Sequence, residues 1–218
     1  MMILQLLSGN LPVITFSAII IGILIGVTVH EYAHALIAHK NGDPTAKYEG
    51  RLSLNPLAHL DPTGTIMLLL VGFGWGKPVP INSSNFKNKN SELKVAFAGI
   101  IANILLAFVL AIPIRIALMN GQLIESSSFL VFLSGVVEIN LVLAAFNLIP
   151  IPPLDGSHLV EYFLNEEQKH NFQTTGPSIL IGLILLSFLT NFSFFQIVVE
   201  PVVRFLSLIV AGNPLVLF

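Results

Sequence analysis

The chain has 218 residues, of which 54% are hydrophobic and only 10% are charged, and its mean hydropathy is +0.84. Soluble domains carry about 25% charged residues, so this composition indicates an integral membrane protein whose surroundings are the lipid bilayer. The net charge of −2 gives no indication of a nucleic acid partner. The sequence has no cysteine, which excludes disulfides, thiolate catalysis and cysteine-bound metal.

Long apolar segments divide the chain. A membrane-spanning helix needs about 20 apolar residues. Four segments meet or approach this length, at residues 12–39, 92–119, 129–149 and 176–211. The last contains TNFSFF at 190–195, which predicts a break into two shorter helices. We therefore expect an all-α polytopic membrane protein with about five to six transmembrane helices.

A shorter apolar segment, PTGTIMLLLVGF at 62–73, has only 12 residues and fits a re-entrant or interfacial position better than a crossing. Lysine and arginine flank it on both sides, and the positive-inside rule then places residues 40–91 in the cytoplasm. We expect one domain over 1–218, with a core at about 12–165 and accessory C-terminal helices at about 176–211. We expect it to lie in the cell membrane, with its functional groups toward the cytoplasmic side.

The first apolar segment ends in TVHEYAHALIAHK, where His30, Glu31 and His34 follow an uncharged run. Two histidines four residues apart lie one turn apart on the same side of a helix, so both can reach one metal ion. Zinc makes water more acidic, and a carboxylate such as that of Glu31 can take its proton. The alternative is an amphipathic helix end whose polar groups are solvated.

The depth of these groups argues against a solvated end. If the helix continues to Lys40, His30 lies about 15 Å inside its cytoplasmic end, where polar groups normally face a partner or a wet cavity. In addition, Gly22 and Gly26 continue the i, i+4 row of the histidines. Such a row of small residues predicts close approach of a second helix, which can supply a further ligand.

The candidate third ligand lies in FNLIPIPPLDGSH, residues 146–158. Prolines at 150, 152 and 153 end the preceding helix, and irregular backbone at membrane depth is tolerated only where it is buried in protein or lines a cavity. Asp155 follows this break directly. It is either a metal ligand or the N-cap of the next helix, and His158 is the alternative ligand.

These two motifs together resemble the site-2 protease family of intramembrane zinc metalloproteases: HExxH in a transmembrane helix, then N-x-x-P-x-P-x-L-D-G in a later one. Residues 42–65, 74–82 and 96–103 are similar to the compact branch of that family, which lacks a PDZ domain. The resemblance covers most of residues 25–165. One departure is Ile100, which stands where the family usually has a proline after the glycine.

The resemblance implies one zinc ion per chain, held by His30, His34 and Asp155, with Glu31 as the general base. It implies a transmembrane protein as the substrate. We also expect Asn147, which belongs to the second motif, and Asn103 to donate hydrogen bonds to the substrate backbone or to the oxyanion. The alternative for both is hydrogen bonding between helices.

The rival functions are a catalytically inactive membrane scaffold and a metal transporter that uses the same metal site. A transporter needs polar groups that thread the bilayer to both faces, whereas here they cluster toward the cytoplasmic half. A scaffold is expected to have lost a ligand or the base, and all four residues are present. The sequence therefore favours the protease.

Overall fold

The computed structural model describes residues 6–9, 11–71, 74–88, 90–190 and 193–215, and these ranges contain helices but no β-strand. After residue 12 the α-helices in chain order are α1 Val13–Lys40, α2 Thr45–Tyr48, α3 Pro62–Val71, α4 Ser91–Leu110, α5 Ile112–Met119, α6 Ser128–Asn147, α7 Ser157–Glu161, α8 Glu166–Leu189 and α9 Glu200–Ala211. The all-helical class predicted from the sequence is confirmed for this part of the chain.

Three helical stretches in the described residues are long and apolar enough to cross a membrane: α1, the consecutive helices α4 and α5, and α6. The total of five to six crossings stays a prediction. Helix α3 has ten residues and is therefore about 15 Å long, half of a hydrocarbon core of about 30 Å. The last two residues of the predicted short segment, 72 and 73, lie outside the described ranges.

The ends of the helices follow from the local sequence. Helix α6 ends at Asn147, just before a segment in which proline removes the backbone donors that a helix needs. Helix α8 ends at Leu189, where the sequence predicts a break. At the end of α1 the chain turns through Gly42, whose φ of +109° is a conformation that side-chain-bearing residues rarely adopt.

Helices α1, α4 and α6 pack against one another and form the centre of the molecule. Two glycines of α1 allow this. A Cβ atom at Gly22 would lie 3.0 Å from the Cβ of Ile139, and one at Gly26 would lie 2.9 Å from Oδ1 of Asn140, both on α6. The predicted close approach of a second helix to this glycine row is therefore confirmed.

An apolar core lies where α6 packs against α4, α5 and α9. Its fully buried members include Ile114, Val137, Leu141, Val199 and Val210. This core packs α6 against α5 and α9, while α1 contacts α6 at Gly22 and Gly26. The buried polar residues of the centre, such as Asn103 and Asn140, thus lie between helices whose positions are fixed by apolar packing.

The loop between α1 and α4 is tied to the end of α1 by Asp43, which is fully buried. Its Oδ1 accepts hydrogen bonds from the backbone N–H and hydroxyl of Thr45 and from Nδ2 of Asn85, and its Oδ2 accepts from the N–H of Asn82 at 2.7 Å. Burial alone would raise the pKa of Asp43, but these hydrogen bonds lower it below its usual value.

We expect Asp43→Asn to lower the thermal unfolding temperature at neutral pH. Four donors converge on the carboxylate, and the amide that replaces it turns one acceptor into a donor, which leaves a buried donor unpaired at a cost of about 1–3 kcal/mol. The folded pKa lies below the unfolded value of about 3.9. The contribution of the carboxylate is therefore complete above that value and is lost as the pH falls toward the folded pKa.

Thermal unfolding of the detergent-solubilised protein across pH 3–8 tests this expectation. The difference between Asp43→Asn and the wild type should shrink below about pH 4. Asp61→Asn is the matched control, because Asp61 accepts one backbone N–H, from Gly64, and asparagine caps a helix as well as aspartate does. A difference in unfolding temperature that is independent of pH would contradict the assignment.

Candidate metal centre

Three potential ligand atoms meet between α1 and the loop that follows α6. The Nε2 atoms of His30 and His34 are 2.9 Å apart, and Oδ2 of Asp155 lies 3.0 Å and 3.3 Å from them, respectively. Both histidines are buried. Among the described residues, these three form the group of histidine and acidic side chains that can hold a metal ion.

The triangle of ligand atoms has the size of one face of a tetrahedral zinc site. With zinc–ligand distances of about 2.0–2.1 Å, ligand atoms in a tetrahedron are about 3.3 Å apart. The three separations observed here, 2.9–3.3 Å, are close to that value. Two imidazole nitrogens and a carboxylate oxygen are also a donor set that zinc binds, with the fourth position left for water.

Hydrogen bonds on the far side of both rings fix their tautomers. Nδ1 of His34 lies 2.7 Å from the carbonyl oxygen of Val95, which can only accept, so Nδ1 carries the proton. Nδ1 of His30 lies 2.7 Å from Oδ1 of Asn103, and the Nδ2 of that amide donates to Gly26 O and Asn140 Oδ1. The amide orientation therefore makes His30 Nδ1 a donor as well.

In neutral imidazoles with this tautomer, both Nε2 atoms carry lone pairs that point at each other and at a carboxylate. Asp155 Oδ2 is buried and has no hydrogen-bond partner among the described residues. With both imidazoles neutral, no proton lies between these three electron-pair donors, and they repel one another unless a cation lies among them. The residues therefore fit a zinc ion, as predicted from the sequence.

A glycine of α4 makes room for the two rings. A Cβ atom at Gly99 would lie 2.5 Å from Nε2 of His34 and 2.5 Å from Cε1 of His30. Gly99 lies one turn after Val95 and one turn before Asn103, so three consecutive positions of one i, i+4 row of α4 serve the two histidines. Sequence reasoning did not single out Gly99, although this spacing from Asn103 is a visible signal.

Asp155 reaches the site because the loop from α6 to α7 closes tightly. The N–H of Gly156 donates to the carbonyl oxygen of Asn147 at 2.7 Å, and a Cβ atom at Gly156 would lie 2.3 Å from Leu148 O. Helix α7 is preceded by Gly156 and has no side-chain cap, so Asp155 does not act as its N-cap. His158 is directed elsewhere, with Nδ1 3.3 Å from the carboxylate of Glu161.

Glu31, the predicted base, contacts the loop between α1 and α4. Its Oε2 accepts a hydrogen bond from the backbone N–H of Val79 at 3.1 Å, and its side chain is half-buried. The residues around Val79 form no β-strand, and the described pairing there is an isolated antiparallel bridge between Leu60 and Gly76. The carboxylate of Glu31 is thus held by a residue of a loop rather than by a residue of a neighbouring helix.

The two predicted substrate-binding asparagines contact other parts of the protein. Nδ2 of Asn147 donates to Leu143 O in its own helix at 3.0 Å, whereas Asn103 is fully buried behind His30. Their predicted role toward a substrate stays a prediction. The hydrogen bond from His30 Nδ1 to Asn103 Oδ1 orients the His30 ring and fixes its tautomer.

Apolar helices of membrane-spanning length, two histidines and an aspartate placed for zinc, and a glutamate next to the first ligand define a class, the membrane zinc metalloproteases. The profile of Peptidase family M50 matches residues 110–189 of the chain. YwhC of Bacillus subtilis (strain 168), whose name is "Putative zinc metalloprotease YwhC", is 42% identical over 154 residues, which are 69% of this chain and 70% of YwhC.

Two further relatives bear names of the same form. "Putative zinc metalloprotease MJ0611" of Methanocaldococcus jannaschii is 30% identical over 70% of this chain and 74% of its own length. "Putative zinc metalloprotease Rip2" of Mycolicibacterium smegmatis is 28% identical over 84% of this chain and 72% of its own length. No solved structure gives a significant match. The chain belongs to peptidase family M50, the site-2 protease family, and is a zinc metalloprotease of that type.

We expect Gly99→Ala to abolish high-affinity zinc binding. The new methyl group would lie 2.5 Å from a ligand atom, so either α4 or the His34 ring has to move. Zinc stoichiometry of the purified protein, measured after dialysis against a zinc buffer, reports the effect. Gly182→Ala in α8 is the control, because a Cβ atom there meets nothing within 4 Å. Full zinc content in Gly99→Ala would refute the close packing described.

Asn103→Leu should lower the zinc affinity about 10- to 100-fold, as loss of a hydrogen-bond partner of a metal-bound histidine commonly does. The leucine has a similar volume but cannot accept the proton of His30 Nδ1, which would leave a buried donor unpaired. Competition with a chelator of known affinity measures the change. Asn147→Leu serves as the control, since its amide donates to a carbonyl of its own helix. Equal affinities in the two variants would contradict this role.

Proposed function

We propose that this protease hydrolyses a peptide bond within or next to a transmembrane segment of a membrane protein. The observation that carries the proposal is the position of the zinc ligands. His30 and His34 lie in a helix that is long and apolar enough to span the bilayer, and ten residues of helix, about 15 Å, separate His30 from Lys40 at its end. A substrate bond has to reach that depth to be cleaved.

The residues of the chain divide the chemistry among them. His30, His34 and Asp155 would hold the zinc ion, which when bound would make water more acidic and a peptide carbonyl more electrophilic. Glu31 accepts the proton of the attacking water and returns it to the leaving amine. The hydrogen bond from Val79 N–H to Oε2 restrains the Glu31 carboxylate, and Oδ1 of Asn103 keeps the proton of His30 away from the zinc-binding face.

The substrate helix has to unwind before cleavage, because a carbonyl within an α-helix is already hydrogen-bonded and is shielded by side chains. The loop that contains Val79 contacts Glu31 and has a non-helical backbone, so an unwound substrate segment would meet it beside the base. Asn147 would also donate a hydrogen bond to the substrate backbone, because its side chain is only partly buried at the end of α6.

We further propose that the protein lies in the cytoplasmic membrane with the zinc site toward the cytoplasm. Lys40 ends α1, Lys47 lies in α2 and Arg51 follows shortly after α2, and cationic residues close to the end of a spanning helix favour the cytoplasmic side. His39 and Lys40 lie in the last turn of α1, the helix that also carries His30 and His34. The intact base and ligand set disfavours an inactive scaffold, and the names of the relatives disfavour a transporter.

Glu31→Gln should bind zinc normally but cleave no peptide, because glutamine cannot accept a proton, whereas His34→Ala should lose both functions. Zinc content and cleavage of a synthetic transmembrane peptide, measured on the same purified samples, separate the two effects. We expect a loss of at least 100-fold in the cleavage rate for Glu31→Gln. Cleavage that persists in this variant at the wild-type rate would show that Glu31 is not the base.

A further inference from the structure

The segment that contacts Glu31 is anchored on both sides of the contact. We define the support segment as residues 76–82. At its start, the N–H of Lys77 donates to His59 O at 2.8 Å, and at its end the N–H of Asn82 donates to buried Asp43 at 2.7 Å. Between these anchors, Val79 donates to Oε2 of Glu31. The backbone of the support segment is therefore held in place beside Glu31.

Arg51 binds the backbone in the middle of the support segment. Its Nη1 donates to the carbonyl oxygen of Pro78 at 3.0 Å, and its Nη2 donates to the carbonyl oxygen of Lys77. The side chain is buried, with 4% of the residue exposed, and no carboxylate lies within ion-pair distance of it in the described part of the chain. A buried guanidinium that is directed at two consecutive carbonyls holds backbone rather than neutralising a charge.

Peptide geometry links Arg51 to Glu31. The carbonyl of Pro78 and the N–H of Val79 belong to the same peptide group, which is planar, and in a trans peptide the two bonds point in opposite directions. Arg51 holds the oxygen of this group on one side, and Glu31 accepts the hydrogen on the other. If the guanidinium is removed, the peptide plane can rotate, and its N–H no longer points reliably at the carboxylate.

We propose that Arg51 is a positioning residue for Glu31, which acts through the Pro78–Val79 peptide group. The inference rests on the proposed function of Glu31 as the general base, and it adds a residue that is remote from the zinc ligands in sequence. Pro78 and Pro80 have no N–H, so Val79 supplies the backbone N–H of residues 78–80, and this N–H is the one that Glu31 accepts.

Steady-state cleavage of a synthetic transmembrane peptide by Arg51→Met and Arg51→Lys tests the proposal. We expect Arg51→Met to lower kcat about 10- to 100-fold, the loss that misplacing a catalytic group by about 1 Å produces, with KM changed less than about threefold. Arg51→Lys should recover part of kcat, because one ammonium can reach one carbonyl but cannot form the fork. Zinc content and unfolding temperature should stay close to wild type, at least in Arg51→Lys.

Arg115→Lys is the matched control. Arg115 also directs its guanidinium at backbone carbonyls, those of Ile209 and Val210 in α9, but it lies away from Glu31. Its replacement should leave kcat unchanged. The proposal is overturned if Arg51→Met has wild-type kcat, if kcat falls only in proportion to zinc content or folding, if the change is confined to KM, or if Arg115→Lys loses the same activity.

Amide hydrogen exchange of the zinc-loaded protein provides a readout that needs no activity. A peptide over residues 77–82 reports on Val79 with little overlap, because Pro78 and Pro80 have no amide hydrogen. Exchange of Val79 should accelerate about tenfold or more in Arg51→Met and in Glu31→Ala, and should not change in Arg115→Lys. Unchanged exchange in Arg51→Met would overturn the proposal. A wild-type protein that shows this protection but cleaves no peptide would instead refute the proposed function.

Discussion

The structure depends on three electron-pair donors that face one another when both imidazoles are neutral. Each imidazole gives its proton away from the site, to Val95 O or to Asn103 Oδ1, and the lone pairs that remain meet the carboxylate of Asp155. In apolar surroundings such a group repels itself strongly, so zinc binding and the fold are linked through it. The close approach of α4 at Gly99 and the tight loop before Gly156 serve to bring these donors together.

Polar groups at membrane depth are tolerated here because each hydrogen bond leads to another and ends on backbone. Asn103 donates to Gly26 O and to Asn140, and Asn140 in turn donates to Val136 O in its own helix. This chain of bonds crosses α1, α4 and α6 at the level of His30. The same contacts that orient a zinc ligand therefore also hold the three central helices in register, which offsets the expense of burying amides among apolar residues.

Much of the zinc site could be predicted from the sequence because it is encoded by local spacing. The four-residue interval between His30 and His34 follows from helix periodicity, and the prolines before Asp155 mark a break that only a buried or cavity-lining segment tolerates. The roles of Asp43 and Arg51 could not be predicted in this way. Asp43 accepts from Asn82 and Asn85, 39 and 42 residues away, and Arg51 donates to carbonyls 26 and 27 residues away, so only the three-dimensional course of the chain reveals these partners.

The predicted zinc ligands and the proposed base are consequently positioned by different parts of the molecule. The ligands are fixed by helix packing, through Gly99 of α4 and the closed loop after α6, whereas Glu31 is restrained by a loop that helix packing does not determine. Helix packing is resistant to small changes, because shifting one helix disturbs many contacts at once. The chain around Val79 depends instead on a few individual hydrogen bonds, which include those of Asp43 and Arg51. Loss of one of these hydrogen bonds would therefore change the support of the proposed base Glu31, while the predicted zinc ligands would keep their helix contacts.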